Sequence, residues 1–154
     1  MRQNYVVGFA FSADKSKVVL IRKTRPAWQA GKLNGPGGKI EAGETPHEAM
    51  CREFLEECGV ETTPADWHYF TKIIGRDGDV WFYRMFDDKA LNAVTKLDEE
   101  VLVVDTDLNH LQKDGLSNIV WLIAIALDEM LPNFFVEANY NQEFITGKTG
   151  TNNG

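Results

Sequence analysis

Residues 38–60 read Gly-Lys-Ile-Glu-Ala-Gly-Glu-Thr-Pro-His-Glu-Ala-Met-Cys-Arg-Glu-Phe-Leu-Glu-Glu-Cys-Gly-Val. This stretch predicts a helix from Thr45 to Cys58, because Thr45 is a good N-cap and Pro46 suits the first helical position. Glu48 completes a Thr-x-x-Glu capping box, and Gly59 is placed to end the helix. The stretch therefore predicts one well-delimited helix that follows a glycine-rich segment.

The predicted helix gathers carboxylates on one face. At about 100° per residue, Glu53, Glu56 and Glu57 lie on the same side as Ala49. The opposite, packing side carries Cys51, Phe54, Leu55 and Cys58. Carboxylates three and four residues apart repel one another, and a pair between Arg52 and Glu56 offsets this only in part. A solvated acidic face is one interpretation. A site for a divalent cation is the other, and ligands that are all oxygen favour Mg²⁺ or Mn²⁺ over Zn²⁺.

The glycine-rich segment and the helix together resemble the signature of the Nudix hydrolases, G-x5-E-x7-R-E-U-x-E-E-x-G-U, where U is a bulky apolar residue. The matching residues, all at the required spacing, are Gly38, Glu44, Arg52, Glu53, Phe54, Glu56, Glu57, Gly59 and Val60. Phe54 departs from the pattern in being aromatic rather than aliphatic. The resemblance implies an α/β fold, the Nudix-type α/β/α sandwich with a mixed β-sheet.

The resemblance also implies an activity and a metal site. Nudix enzymes use Mg²⁺, with Mn²⁺ able to substitute, to hydrolyse a nucleoside diphosphate linked to another moiety. By position, Glu56 and Glu57 would be the principal metal ligands, and Glu53 a further ligand or the general base. Arg52 would orient the carboxylates and Glu44 would support the loop. The expected metal ligands are Gly37, Gly38, Glu53, Glu56, Glu57 and Glu100.

A glutamate outside the signature often takes part in such sites. Glu100, at the head of the strand predicted over Val101–Val104, is the first candidate, and Glu99 is the alternative. A solvated strand end explains either residue equally well.

Residues that would recognise the substrate lie outside the signature. The segment Leu33–Lys39 resembles that of the oxidised-purine nucleoside triphosphatases in the family, where an asparagine at the position of Asn34 contacts the base. Asn118, next to Ser117 at the start of the second predicted helix, matches another base-reading position. An amide offers both a donor and an acceptor to a purine edge. A turn at Asn34 and a helix cap at Asn118 or Ser117 are the structural alternatives.

Three further residues complete the expected substrate site. Trp28 could stack on a base or simply pack over its loop. Lys39 is the best placed of the nearby cations to meet phosphates, followed by Arg22, Lys23 and Arg25, and a solvated surface charge is the alternative for each. The expected substrate-binding residues are thus Asn34, Asn118, Lys39, Trp28 and Arg22.

The first functional hypothesis is a nucleoside triphosphate pyrophosphohydrolase that releases a nucleoside monophosphate and pyrophosphate, with 8-oxo-dGTP or a related nucleotide as substrate. ADP-ribose, a dinucleotide or an undamaged dNTP stay open within the same enzyme class. A non-catalytic Nudix module that senses a nucleotide is the hypothesis from a different class.

Composition narrows the class of partner. The 154 residues carry 16 Lys plus Arg and 23 Asp plus Glu, a net charge of −7, which argues against nucleic acid polymers and anionic membranes. No apolar run reaches membrane-spanning length. Cys51 and Cys58, about 10 Å apart on one helix, cannot form a disulfide, and reduced thiols favour a cytoplasmic protein. A small nucleotide is the expected partner of a monomer or homodimer.

The remaining pattern predicts one domain over residues 1–138 and a polar, flexible tail over residues 139–154. Strands are predicted at Tyr5–Phe11, Lys17–Arg22, Trp67–Gly75, Val80–Phe86 and Val101–Val104. A second helix is predicted over Leu116–Leu131, ended by Pro132. The long stretch Lys23–Pro36 is predicted to be an irregular, functional loop.

Overall fold

The computed structural model of the chain describes residues 2–116, 118–130 and 136–139. The strands are β1 Tyr5–Phe11, β2 Lys17–Arg22, β3 Leu33–Asn34, β4 Gly37–Lys39, β5 His68–Ile74, β6 Asp79–Phe86, β7 Glu100–Asp105 and β8 Val136–Asn139. The helices are α1 Pro46–Cys58, α2 Leu108–Asp114 and α3 Ile119–Ala126. The five predicted strands and both predicted helices are therefore present, with somewhat different bounds.

The strands join in one mixed sheet. β1 and β6 run parallel along their whole length, from Tyr5 opposite Val80 to Phe11 opposite Phe86. β5 pairs antiparallel with β6, and β8 lies parallel to β5. On the other side, β2 pairs antiparallel with β1, β3 and β7. The short strand β4 also pairs with β1, which fixes the glycine-rich segment against the centre of the sheet.

Helices cover both faces of this sheet. Because side chains alternate along a strand, β1 sends Phe9 and Phe11 to one core and Val6 and Ala10 to the other. The first core is completed by α2 and α3, and the second by α1. The predicted α/β/α sandwich with a mixed sheet is confirmed, and it fixes the carboxylate-bearing helix on one face only.

Several local features differ from the sequence predictions. The stretch predicted as an irregular loop contains β3, and the helix α2 was not predicted. The second predicted helix is shorter, since α3 ends at Ala126, and β8 extends to Asn139, past the predicted domain end. Ser117, Pro132 and the predicted tail beyond Asn139 lie outside the described residues. None of the helices in the described ranges is long and apolar enough to cross a bilayer.

Candidate functional site

Capping interactions at both ends define α1, as the sequence predicts. Thr45 Oγ1 accepts a hydrogen bond from Glu48 N at 3.2 Å, and the Glu48 carboxylate accepts one from Thr45 N at 3.0 Å. Gly59 ends the helix with φ 72°, a left-handed conformation that favours glycine. These caps set the start and the end of α1, and thereby the direction in which its carboxylates point.

The carboxylate face of α1 packs against β4. Glu57 Oε2 accepts a hydrogen bond from Gly37 N at 3.2 Å. A Cβ on Gly38 would overlap the Glu53 carboxylate, so only glycine allows this close approach. Ala49, on the same face, is fully buried, whereas Leu55 is 46% exposed although it was predicted to pack. Glu53 and Glu57 of the acidic face are therefore turned toward the glycine-rich segment, whereas Glu56 is exposed.

Arg52 connects the acidic side chains. Its Nε and Nη2 donate to the two oxygens of Glu44 at 2.9 and 2.6 Å. Its Nη1 donates to Glu53 at 2.9 Å and to Glu56 at 3.3 Å, which confirms the predicted pair with Glu56 and extends it. Arg52 Nη2 also donates to the carbonyl of Lys39 at 2.8 Å. This guanidinium ties the helix to the segment before it, and its hydrogen bond lowers the pKa of Glu44.

The electrostatics of Glu57 and Glu53 set them apart from surface carboxylates. Burial, and next to it the charge of Glu53, raises the pKa of Glu57 to about 8. Burial also raises the pKa of Glu53, although Arg52 opposes this shift. Each carboxylate is thus held where its charged form is poorly solvated. A cation placed between them would stabilise both charges.

The structure distinguishes between the two candidates outside the signature. The Glu100 side chain is 61% exposed, and its carboxylate lies 3.8 Å from Arg22 Nε. The Glu99 side chain is only 12% exposed and accepts from Lys23 Nζ at 3.0 Å and from Thr24 N at 2.6 Å. Glu99 also contributes to the raised pKa of Glu57 through its charge. This geometry favours Glu99, the alternative, over Glu100.

The protonation state of Glu99 is set by opposing effects on its pKa. Burial alone would raise its pKa, but hydrogen bonds from Thr24 N and Lys23, with the Lys23 charge, hold that pKa below its usual value. Glu99 is therefore ionised, and Lys23 is its countercharge.

Among the described residues, the acidic side chains do not converge as a complete set of metal ligands. Within the part of the chain that the structure describes, no three His, Cys, Asp or Glu side chains converge closely enough to hold an ion. Glu53 and Glu56 are instead held by Arg52, and Glu57 by Gly37 N. The candidate metal ligands are all oxygen atoms, which Mg²⁺ and Mn²⁺ prefer. A nearby cation would stabilise the ionised form of the poorly solvated Glu57 carboxylate.

A cavity of about 580 Å³ opens next to this acidic centre. Of the residues named from the sequence, those that line it are Lys23, Trp28, Asn34, Gly37, Gly38 and Asn118. Lys39 and Arg22 are not among its lining residues. Arg22 Nη1 donates instead to Gly31 O at 3.0 Å, and Lys39 is exposed.

The two asparagines in the cavity differ in how they are held. Asn34, at the end of β3, accepts a hydrogen bond at its Oδ1 from Gly35 N at 2.8 Å, so part of this amide is engaged by the backbone. Asn118 precedes α3 without a side-chain cap hydrogen bond. Asn118 thus occupies the N-cap position of α3, but its side chain does not cap the helix.

Sequence reasoning missed much of the cavity wall. The floor is apolar and comes from strands distant in sequence: Val7, Ile73, Val80 and Phe82, with Leu116 before α3. Tyr5 and Arg76 also line the cavity. These residues read as ordinary strand or turn positions, and they meet because β6 pairs with both β1 and β5, and Leu116 N donates to Leu33 O. The alternation of side chains between the two faces of β1 and β6 was the one sequence signal that could have indicated the apolar lining of the cavity.

Residues 1–119 match the family model of the NUDIX domain. An 8-oxo-dGTP diphosphatase of Escherichia coli is 42% identical over 60 residues, which cover 39% of this chain and 45% of that protein. A putative 8-oxo-dGTP diphosphatase 2 of Mycobacterium tuberculosis is 40% identical over 80 residues, which cover 52% and 47%. The matches thus span about half the length of these curated relatives.

A solved structure agrees over a longer range. A MutT structure, from work on Aliivibrio salmonicida and Vibrio cholerae, aligns with a TM-score of 0.67 at 25% identity. That alignment covers 82% of this chain and 98% of the MutT chain.

Proposed function

This chain belongs to the Nudix family, and from that premise we propose that it is a nucleoside triphosphate pyrophosphohydrolase acting on an oxidised purine nucleotide such as 8-oxo-dGTP. The products would be a nucleoside monophosphate and pyrophosphate. The observation that carries the proposal is the cavity, which reaches from Gly37 and Gly38, beside the Glu57 carboxylate, to the amide of Asn118. The names of the E. coli and M. tuberculosis relatives support the choice of substrate.

The oxygen chemistry of the acidic centre suits a divalent cation, Mg²⁺ or Mn²⁺. The residues that would hold it are Glu53, Glu56, Glu57 and Glu99, with the backbone of Gly37 or Gly38. Such an ion, when bound, neutralises diphosphate charge and makes a water molecule easier to deprotonate. The raised pKa of Glu57 supports this assignment, because a buried carboxylate is stabilised by a cation.

The chain's own residues have separable roles in this proposal. Arg52 orients the acidic centre, because one guanidinium holds Glu44, Glu53 and Glu56 through five hydrogen bonds that include the Lys39 carbonyl. Glu53 is either a further metal ligand or the general base, and burial, which raises its pKa, suits the second role. Glu44 supports the loop before α1 by accepting from Glu41 N at 2.9 Å.

The residues that line the cavity suit a purine base. Its apolar floor of Val7, Val80 and Phe82 suits the faces of a base. Asn118 can offer both donor and acceptor to the base edge, whereas Asn34, whose Oδ1 is engaged, offers its Nδ2 donor. Trp28 stands on the wall of the cavity, where it can stack on the base.

We also infer a cytoplasmic location for the protein. Both cysteines are free thiols, and burial raises the pKa of Cys58 to about 12 and also raises the pKa of Cys51. Such thiols are unreactive and suit a reducing compartment, where the nucleotide pool is found.

The proposed activity is tested with a panel of nucleotides in Mg²⁺. It contains 8-oxo-dGTP, the common dNTPs and NTPs, ADP-ribose and a dinucleoside polyphosphate. We expect monophosphate and pyrophosphate from 8-oxo-dGTP, lost by orders of magnitude in Glu57→Gln and kept in Glu61→Gln, which removes an exposed carboxylate. Preference for ADP-ribose or the dinucleotide would keep the enzyme but overturn the substrate. No turnover with Mg²⁺ or Mn²⁺ would favour a nucleotide sensor.

Asn118→Ala tests the assignment of base recognition. Loss of one neutral hydrogen bond should lower kcat/KM for 8-oxo-dGTP by about 3- to 10-fold. The ratio of kcat/KM for 8-oxo-dGTP to that for dCTP should fall with it. Asn109→Ala is the matched control, because Asn109 is exposed on α2 and is not among the lining residues. An equal loss on every nucleotide would contradict a role of Asn118 in reading the base.

A further inference from the structure

Lys23 stands between the acidic centre and the cavity. Among the described residues that line the cavity, two carry a positive charge, Lys23 and Arg76. Arg76 is exposed in the turn between β5 and β6. The Lys23 side chain is only 18% exposed, and its Nζ lies 3.0 Å from Glu99 Oε1. Lys23 therefore contacts an acid of the proposed metal centre while it also faces the space for the substrate.

The charge of Lys23 is felt by Glu57 as well as by Glu99. The Lys23 ammonium favours the ionised form of Glu57, and the Glu99 carboxylate disfavours it. In the absence of a metal ion, Lys23 thus acts as the local countercharge for both carboxylates. A divalent cation that binds these carboxylates would meet the ammonium as a competitor for Glu99 and as a repelling charge.

The backbone of Lys23 is fixed although its side chain is long. Lys23 N donates to Lys32 O at 2.8 Å, and Lys23 O accepts from Gly31 N at 2.8 Å. The carboxylate of Glu99 is further held by Thr24 N at 2.6 Å. Because Glu99 keeps this backbone partner, it stays in place when the ammonium leaves.

We propose that Lys23 is an exchangeable countercharge that serves the metal-free centre first and the substrate phosphates afterwards. The ammonium holds Glu99 until a divalent cation takes over that carboxylate, and it is then released toward the cavity to bind a phosphate oxygen. This inference rests on the proposed function. It adds that the same positive charge weakens metal binding in the free protein and strengthens nucleotide binding in the loaded protein.

The test is a titration of the nucleotide-free, full-length protein with Mn²⁺, with free Mn²⁺ measured by its electron paramagnetic resonance signal. We expect Lys23→Met to bind Mn²⁺ about 5- to 10-fold more tightly than the wild type, because a nearby repelling charge is removed. The same variant should raise KM for the nucleotide about tenfold, because a charge-assisted hydrogen bond is lost. Lys23→Gln provides a second neutral variant if Lys23→Met does not fold.

Two matched variants separate the role of this lysine from a general charge effect. Lys23→Arg keeps the charge and should bind Mn²⁺ like the wild type. Arg25→Met removes a charge two residues away, from an exposed pair with Asp98 at 2.9 Å, and should leave Mn²⁺ binding within twofold of the wild type. Equal tightening in Arg25→Met, or unchanged or weaker Mn²⁺ binding in the neutral Lys23 variants, would overturn the inference. Wild-type protein that binds no Mn²⁺ would overturn the proposed function itself.

Discussion

At the scale of single residues, Glu57 shows how a functional site costs stability. Its carboxylate is buried against Gly37, beside the charge of Glu53, and its pKa is raised to about 8. In the unfolded chain a glutamate titrates near pH 4.5. Because the folded-state pKa is raised, the folded state binds the proton more tightly than the unfolded state does. Without metal, this group lowers the free energy of unfolding progressively as the pH rises from about 4.5 to about 8.

Glu57→Gln should therefore stabilise the metal-free protein. In EDTA at pH 8, we expect the variant to gain on the order of 2 kcal/mol in the free energy of unfolding, measured by urea denaturation. The gain should vanish at pH 4, where Glu57 is protonated in both states. Mg²⁺ should stabilise the wild type and not the variant. Glu61→Gln is the control, and a Glu57→Gln variant that is less stable than the wild type at pH 8 would contradict the argument.

At the scale of elements, α1 was predictable because its signals are local. The capping box at Thr45 and the stop at Gly59 lie within the helix and its flanks, and the structure confirms both. Which face packs was predicted less well. Of the side chains placed on the packing side, Phe54 and Cys58 are buried and only Leu55 is exposed, while the glycine-rich strand β4 also covers part of the acidic side. That covering depends on the pairing of Val6 with Gly38, a contact remote in sequence.

The rest of the candidate site depended on the same kind of remote contact. β3 and β4 have two and three residues, too few for a periodic pattern, and they form because β2 and β1 offer them partners. Glu99 and Glu100 are neighbours in sequence. β7 begins at Glu100, and the position of this strand start determines which of the two side chains turns inward. The signature carboxylates could be predicted from spacing alone. The cavity floor could not, because it comes from separate strands, and the contact between Lys23 and Glu99 could not, because it joins a loop to the start of β7.

At the scale of the whole molecule, Arg84 connects the sheet to the helical layer that carries Asn118. It lies on β6, is 6% exposed, and its Nη1 donates to Ala126 O at 2.9 Å and to Asp128 O at 3.3 Å. Its guanidinium carbon lies 6.0 Å from the ring centre of Phe70. These contacts hold the carboxyl end of α3, where a positive charge is favourable. The amino end of the same helix follows Asn118 at the cavity, so one buried arginine supports both layers.

Arg84→Met should loosen this connection. The substitution keeps an apolar body in the core but leaves two helix-end carbonyls without their donor, which should lower the free energy of unfolding by about 1–3 kcal/mol. The melting temperature, measured by differential scanning calorimetry, should fall by about 3–8 °C. If α3 shifts with its anchor, KM for the nucleotide rises while kcat changes little, because Glu53 and Glu57 belong to the opposite layer. Lys113→Met, which removes an exposed positive charge from α2, is the control for lost charge. An unchanged melting temperature would instead mean that apolar packing replaces the buried charge without loss, and that α3 is held by its own core contacts.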